Sequence, residues 1–381
     1  MKKSIFLTFV LVFASVFAIA SDLKFMASEE ISYDDNIYLT DKNKVDSAIS
    51  STKIGALYDL AVPNSSLTGK FSAIGGYNAF QKHNNKNGFW DALVNAQFGN
   101  KIFEIGETFL LTSDPANSEQ TERKQRINNN AYISLRTNSY KKLSLGLKVS
   151  DEINKYTVGG KIAEDLDRNR VNAGAGIYYN VSEKTNLLAE YTFTALAYNS
   201  NHENNSIGGI AAFGAEGKLA PKVTGEAKIT YNYRNYSHDK AGCDNYGDLF
   251  GYNVALTWTP TTQNLLRLSG TRDFEETVYS NNRYFVSTGI KLYGSQKILE
   301  KFTAGLTLGY ENLSYPKANS DGIKRSDDVL TVRPEISYQF KAWLSAGVWY
   351  QYRRRASDAN TADVNYHYDS NKAGAFIKAI F

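Results

Sequence analysis

Cysteine is almost absent: Cys243, in the loop-like stretch KAGCDNYGD, is the only one in 381 residues. That excludes an internal disulfide framework. Long apolar runs are missing too. Past residue 20 no stretch of eighteen apolar residues occurs, so no helix there can cross a bilayer. There is little excess of either charge. The 43 Lys and Arg face 39 Asp and Glu, without the basic surplus a nucleic-acid binder carries. Histidine is scarce. His83, His202, His238 and His367 all fall in polar, loop-like stretches. His238 abuts Asp239 and His367 stands two residues from Asp369, but no nucleophile motif or ligand spacing accompanies them. The chain reads as non-enzymatic, with no cofactor or metal.

Residues 1–20 have the form of a cleaved secretory signal. MKK is basic, SIFLTFVLVFASVFA is apolar, and AIA before Ser21 is a small-x-small cleavage pattern. Removing Lys2 and Lys3 lowers the net charge from +4 to +2. The expected mature chain, 21–381, is a single domain. Its abundant residues are 26 Tyr and 20 Phe, against 6 Pro and 2 Met. An exported, aromatic-rich chain without a membrane helix is a soluble all-β protein or an outer-membrane barrel, and alternation distinguishes the two.

In KVTGEAKITYNYR (222–234) one face carries Val223, Gly225, Ala227, Ile229, Tyr231 and Tyr233, and the other Thr224, Glu226, Lys228, Thr230, Asn232 and Arg234. Strict period two is a strand. An apolar face closed by tyrosines is a lipid-facing band with its aromatic girdle. FTAGLTLGYE, WLSAGVWYQYRRR and LFGYNVALTW repeat the layout. Eighteen such segments run from 22–33 and 48–61, through 101–111, 128–138 and 142–150, to 327–340, 343–355 and 370–381. Sixteen is the alternative count. Glu29 and Glu107 fall on the outward face, which places them near a rim or implies a register shift.

The connections alternate as well. VPNSS, FGNK, NSYKK, VSEKT, LAPK, TPTTQ, SQKILEK and FKAW are short, while 34–47, 112–127, 151–169, 315–326 and 356–369 are long and polar. Short turns on the periplasmic side and long loops outside are the asymmetry of outer-membrane barrels. The fold expected is therefore an all-β, transmembrane, up-and-down antiparallel barrel. Strand 370–381 must close it against strand 22–33, because an open edge in lipid leaves backbone groups unsatisfied. Phe381, Ala379, Ile377, Ala375 and Ala373 form the outward face of that last strand.

An eighteen-strand barrel tilted about 40° has a backbone radius of roughly 18 Å, too wide for side chains alone to fill. The first strand begins within a few residues of Ser21, so no amino-terminal plug is expected, which argues against an energised transporter. Loops 112–127 and 151–169 are the candidates for folding inward. Predicted lumen charges are mixed. The candidate solute contacts are Arg353, Arg355, Trp349, Arg333, Arg267, Arg234, Glu311 and Glu335. Arg353, Arg354 and Arg355 make a basic cluster at the outer end of the seventeenth strand, placed to meet an anionic solute, water or lipopolysaccharide phosphate.

EISYDDNIYLTDKNKVDSAISSTKIGALYDL (29–60) and WLSAGVWYQYRRRASDANTADVNYHYDSNKAGAFIKAIF (343–381) resemble the putative β-barrel porin 2 family and related outer-membrane barrels encoded with exopolysaccharide machinery. The resemblance implies an outer-membrane location. It also implies that the final strand, with Phe381, Ala379 and Ile377, serves as the signal read by the barrel assembly machinery. Two functions follow as expectations. One is passive diffusion of small hydrophilic solutes. The other is an accessory role in polysaccharide export or surface binding, with loops closing the lumen and Trp349 and Tyr178 stacking on sugar rings. The expected surroundings are a lipid bilayer and lipopolysaccharide.

Overall fold

The computed structural model describes residues 23–62, 64–114, 124–137, 140–157, 164–240, 242–277, 279, 281–318, 322–359 and 366–381. Eighteen strands run in order: β1 (Leu23–Asp34), β2 (Ser47–Ala61), β3 (Thr68–Phe80), β4 (Phe89–Gly99), β5 (Phe103–Asp114), β6 (Lys124–Arg136), β7 (Leu143–Tyr156), β8 (Arg168–Ser182) and β9 (Thr185–Tyr198). The second half comprises β10 (Ser206–Ala220), β11 (Val223–Tyr236), β12 (Tyr246–Trp258), β13 (Asn264–Glu276), β14 (Tyr284–Ile298), β15 (Phe302–Ala318), β16 (Lys324–Lys341), β17 (Leu344–Ser357) and β18 (Tyr368–Ile380). Each pairs antiparallel with its sequence neighbours, and β1 pairs with β18, so the sheet is a closed up-and-down barrel of eighteen strands.

The seam closes as the alternation predicts. Ala27 lies opposite Ala379, Glu29 opposite Ile377 and Tyr33 opposite Ala373. At its lower end Phe25 and Phe381 exchange both backbone hydrogen bonds, at 2.7 and 2.9 Å, and their rings stand 6.3 Å apart on the outer surface. That surface is apolar. Ile54 is 68% exposed and Ile229 69%, which in water would be a liability and in lipid is the solvent contact.

The strands are staggered. Starting from Leu23 at the foot of β1, the row of cross-strand partners passes through Glu107 on β5 and Asp151 on β7 and reaches Asn235 near the top of β11. Rows of paired residues therefore climb the wall as they go round it, the shear that closure of a tilted sheet requires.

Two sequence expectations need correction. Glu29 and Glu107 are neither at a rim nor beside a register shift. Glu107 sits between Ile105 and Phe109, opposite Ala96 and Ala131 in unbroken pairing. Glu29 sits opposite Thr52, and its carboxylate accepts hydrogen bonds from Ser50 (2.6 Å) and Thr52 (2.5 Å). The polar partners on β2 compensate for the position. The outer loops are also shorter than expected: β5 runs on to Asp114, β7 to Tyr156 and β15 to Ala318. Above the apolar band both faces of a strand are polar, so the alternation that marks a strand is lost where the strand itself is not.

The other side is built of tight turns, such as Glu183–Lys184 between β8 and β9. Tyr140 and Leu143 exchange backbone hydrogen bonds around Lys141 and Lys142, both at positive φ (46° and 72°), the two-residue turn whose twist matches that of a hairpin.

Candidate channel lumen

Alternation turns every second side chain inward, and most inward charges neutralise one another across strands. Lys53 of β2 meets Asp91 of β4 at 2.7 Å, Arg136 of β6 meets Glu216 of β10 at 2.7 Å, and Lys228 of β11 lies 3.0 Å from both Glu190 and Glu226. These pairs tie the wall and leave it wet and polar.

The arc from β13 to β18 differs. One cross-strand row runs Arg267, Tyr293, Thr307, Arg333, Gln351, Lys372. The row above it carries Lys291, Gly309, Thr331 and Arg353. No described carboxylate forms an ion pair with Arg267, Lys291 or Arg353, and Arg333 approaches Glu335 only at 3.9 Å. Gly289 and Gly309 bear no side chains here, and a recess of about 570 Å³ opens, lined by Lys291, Glu311, Arg333, Glu335, Gln351 and Arg353. Arg267 joins Lys291 and Glu335 around a second recess lower on the same wall. Five of the eight predicted solute contacts, Arg267, Glu311, Arg333, Glu335 and Arg353, thus share one wall.

The remaining three are packed away from the bore. Trp349 is 6% exposed. It lies against Gly374, where any Cβ would come within 2.8 Å of its ring, and the Arg333 guanidinium covers it at 4.3 Å. Tyr178 is similarly engaged: Arg136 stacks on it at 3.6 Å and its hydroxyl donates to Glu190 at 2.6 Å. Neither ring offers a free face to a sugar. The arginine cluster is divided by alternation. Arg353 points inward, and Arg354 pairs with the outward Leu330 and is exposed. Arg355 is buried 3.7 Å from Asp327.

Arg234 belongs to a structure the sequence did not reveal. Pairing of β12 with β13 ends at Tyr252–Arg272. Beyond it the upper end of β13 leaves the wall and carries the 277–283 turn into the lumen. The face of β13 that would meet lipid then packs on the inner surface of β8–β12. Glu276, its side chain 1% exposed, binds Arg234 at 2.5 Å, Arg170 at 3.2 Å and the Tyr198 hydroxyl at 3.0 Å. Phe274 takes Arg234 over its ring at 5.1 Å. Further along, Arg283 donates to the carbonyls of Glu203 and His238 at 3.0 and 2.8 Å. Asn282 and Lys317 exchange bonds at 2.8 and 3.1 Å.

The same strap reaches the opposite wall. Arg325, wholly buried, is held by Asp327 at 2.5 Å and enclosed by Tyr279, Tyr315 and Tyr366 at 4.8, 4.6 and 3.9 Å. Cation–π contacts of this kind gain strength when desolvated. Burial, then the hydrogen bond with Tyr279, pushes the Tyr366 hydroxyl up to about 12. On the near side Ile37, Ile49 and Phe80 form a small apolar cluster under the 35–46 loop. The mouth of the barrel is thus narrowed by the 277–283 turn, where loops 112–127 and 151–169 were expected to enter. Residues 115–123 and 158–163 of those two loops lie outside the described residues.

The fold has solved counterparts. The chain aligns with the outer membrane protein OpdK of Pseudomonas aeruginosa at a TM-score of 0.50 and 12% identity, covering 95% of this chain and 100% of that one. Acinetobacter baumannii OccAB4 aligns at 0.47 with 11% identity (95% and 98% covered), and Pseudomonas aeruginosa OccK3 (OpdO) at 0.49 with 10% identity (97% and 99%). No curated protein sequence matches the chain. Residues 111–377 match the family described as putative beta-barrel porin 2. That match spans more than half of the chain, which therefore belongs to this family of porin-like outer-membrane channels.

Proposed function

We propose that this barrel passes small hydrophilic solutes by passive diffusion and favours anions. The observation that carries the preference is the pair of basic rows on the β13–β18 arc, where Arg267, Lys291 and Arg353 face water without ion-pair partners. Elsewhere the lumen charges cancel in pairs. Fixed cations on one wall of a water-filled bore raise the local anion concentration and lower that of cations. Arg333, Glu335 and Glu311 complete the wall. Arg234, Arg355 and Trp349 shape it from behind.

Residues 1–20 direct export and are cut after Ala20, so amino-terminal sequencing of the membrane-inserted protein is expected to read from Ser21. Phe381, Ala379 and Ile377 present the outward face that the assembly machinery recognises. The outer surface, Arg354 included, lies among lipopolysaccharide phosphates.

Planar-bilayer recording of residues 21–381 tests the reading. Discrete conductance steps are expected, with a reversal potential displaced towards that of the anion in a salt gradient. A folded, heat-modifiable barrel that carries no current overturns passive diffusion. Steps with a cation-directed reversal potential overturn the anion preference alone.

A further inference from the structure

Where β13 leaves the wall it leaves a notch on the membrane side. β12 continues upward to Tyr246 and stays paired with β11 as far as Asn235–Tyr246. Its other edge, Tyr246–Phe250, has no strand beside it among the described residues. The gap is backed from inside. The Tyr284 ring lies 2.9 Å from where a Cβ on Gly247 would stand, and Phe274 packs edge-on against it at 4.6 Å. The notch is therefore blind: it opens to the membrane and is stopped by aromatic rings on the lumen side.

Its two sides differ in chemistry. On β12, Phe250 is 78% exposed, more than any other large apolar side chain described. Tyr231 stands beside it with ring centroids 5.0 Å apart. On β13, Arg272 faces outward. Its guanidinium donates to Thr288 at 3.3 Å, and no described carboxylate pairs with it. The cross-strand row that holds Arg272 shows its depth. Ile229 and Tyr252 precede it, Thr288 and Asn312 follow. Arg272 thus stands where the climbing outward face turns from apolar to polar. At mid-bilayer an arginine is costly, but near the interface the cost falls towards zero. There a guanidinium meets phosphate in the fork geometry it suits best.

We infer that this notch seats one phosphorylated lipid of the outer leaflet, its phosphate on Arg272 and an acyl chain along Phe250 and Tyr231. The inference rests on the outer-membrane reading but not on ion conduction. A strand missing from a barrel wall would otherwise expose backbone groups to hydrocarbon. An amphiphile lying in the gap covers them while its head remains at the surface.

Native mass spectrometry of the full barrel in mild detergent, titrated with lipid A and with dephosphorylated lipid A, tests it. Wild type is expected to retain one lipid A and to hold the dephosphorylated form at least tenfold more weakly. Arg272→Gln loses that preference, Arg272→Lys keeps part of it, and Phe250→Ala weakens both lipids. Arg354→Gln, which removes the other outward arginine of the described strands, leaves retention unchanged. Equal retention by Arg272→Gln and wild type overturns the site. So does competition by inorganic phosphate alone that leaves no dependence on Phe250. Heat modifiability on gels confirms that each variant is folded. A barrel that conducts yet shows no lipid preference rejects the notch while leaving the channel reading intact.

Discussion

Glu276 of β13 binds Arg170 of β8 at 3.2 Å although four strands lie between them along the wall. Only a strand end that has crossed into the lumen can make that contact. Glu276 also binds Arg234, so one buried carboxylate serves two guanidinium groups. Removing one partner of a buried ion pair costs about 3–5 kcal/mol, chiefly because the other charge is left uncompensated. Glu276→Gln is expected to release the strap. Single-channel records then show larger and noisier conductance with the barrel still folded, whereas an unchanged step size shows that the strap does not restrict the bore.

The basic rows carry a graded prediction. Changing Arg267, Lys291 and Arg353 to Gln together is expected to bring the anion-to-cation permeability ratio close to one, each single change contributing part of the shift. Arg355→Gln serves as contrast, since Arg355 is buried beside Asp327. Reversal potentials in a salt gradient measure both.

Glu107→Leu is expected to stabilise the barrel. The native carboxylate faces lipid between Ile105 and Phe109, where a charge costs energy, though less for Glu than for Arg or Lys. A gain of about 1 kcal/mol in denaturant unfolding from lipid vesicles is expected. Glu29→Leu gains less, because Ser50 and Thr52 lose the acceptor they now share.

Arg325→Met tests the roof. The substitution keeps much of the stem and removes the charge that Asp327 and three tyrosines enclose. Outer-loop cleavage by added protease on intact cells is expected to quicken about tenfold, the equivalent of roughly 1.4 kcal/mol of local opening. Equal cleavage rates would show that other contacts hold the roof.

The barrel was legible because lipid allows so few solutions. Period-two segments such as 222–234 identify their own faces, and Phe381, Ile377 and Ala375 fall outward as alternation requires. The shared wall of Arg267, Arg333 and Arg353 follows from the same parity once the register is known. The strap was not legible. Glu276 lies on the lipid-facing parity of β13, and only the loss of pairing beyond Tyr252–Arg272 turns it into the lumen. That event depends on partners contributed by β8, β9 and β11, far away in sequence. The clue was local polarity: an acid on an outward position, at a strand end where no apolar neighbour accompanies it. The same clue at Glu107 has a different outcome, because there the pairing persists on both sides.

The stagger of the strands gives the bore a handedness. The row from Arg267 near the foot of β13 to Lys372 near the top of β18 rises as it goes round. It spans five strand steps of the eighteen, about 100° of arc in a regular barrel. An ion that moves from cation to cation therefore follows a screw path rather than a straight drop. A rigid solute gripped by its charged end must turn as it descends, and its other end sweeps the opposite wall, where charges are already paired. Length, and not charge alone, then decides which anions pass quickly.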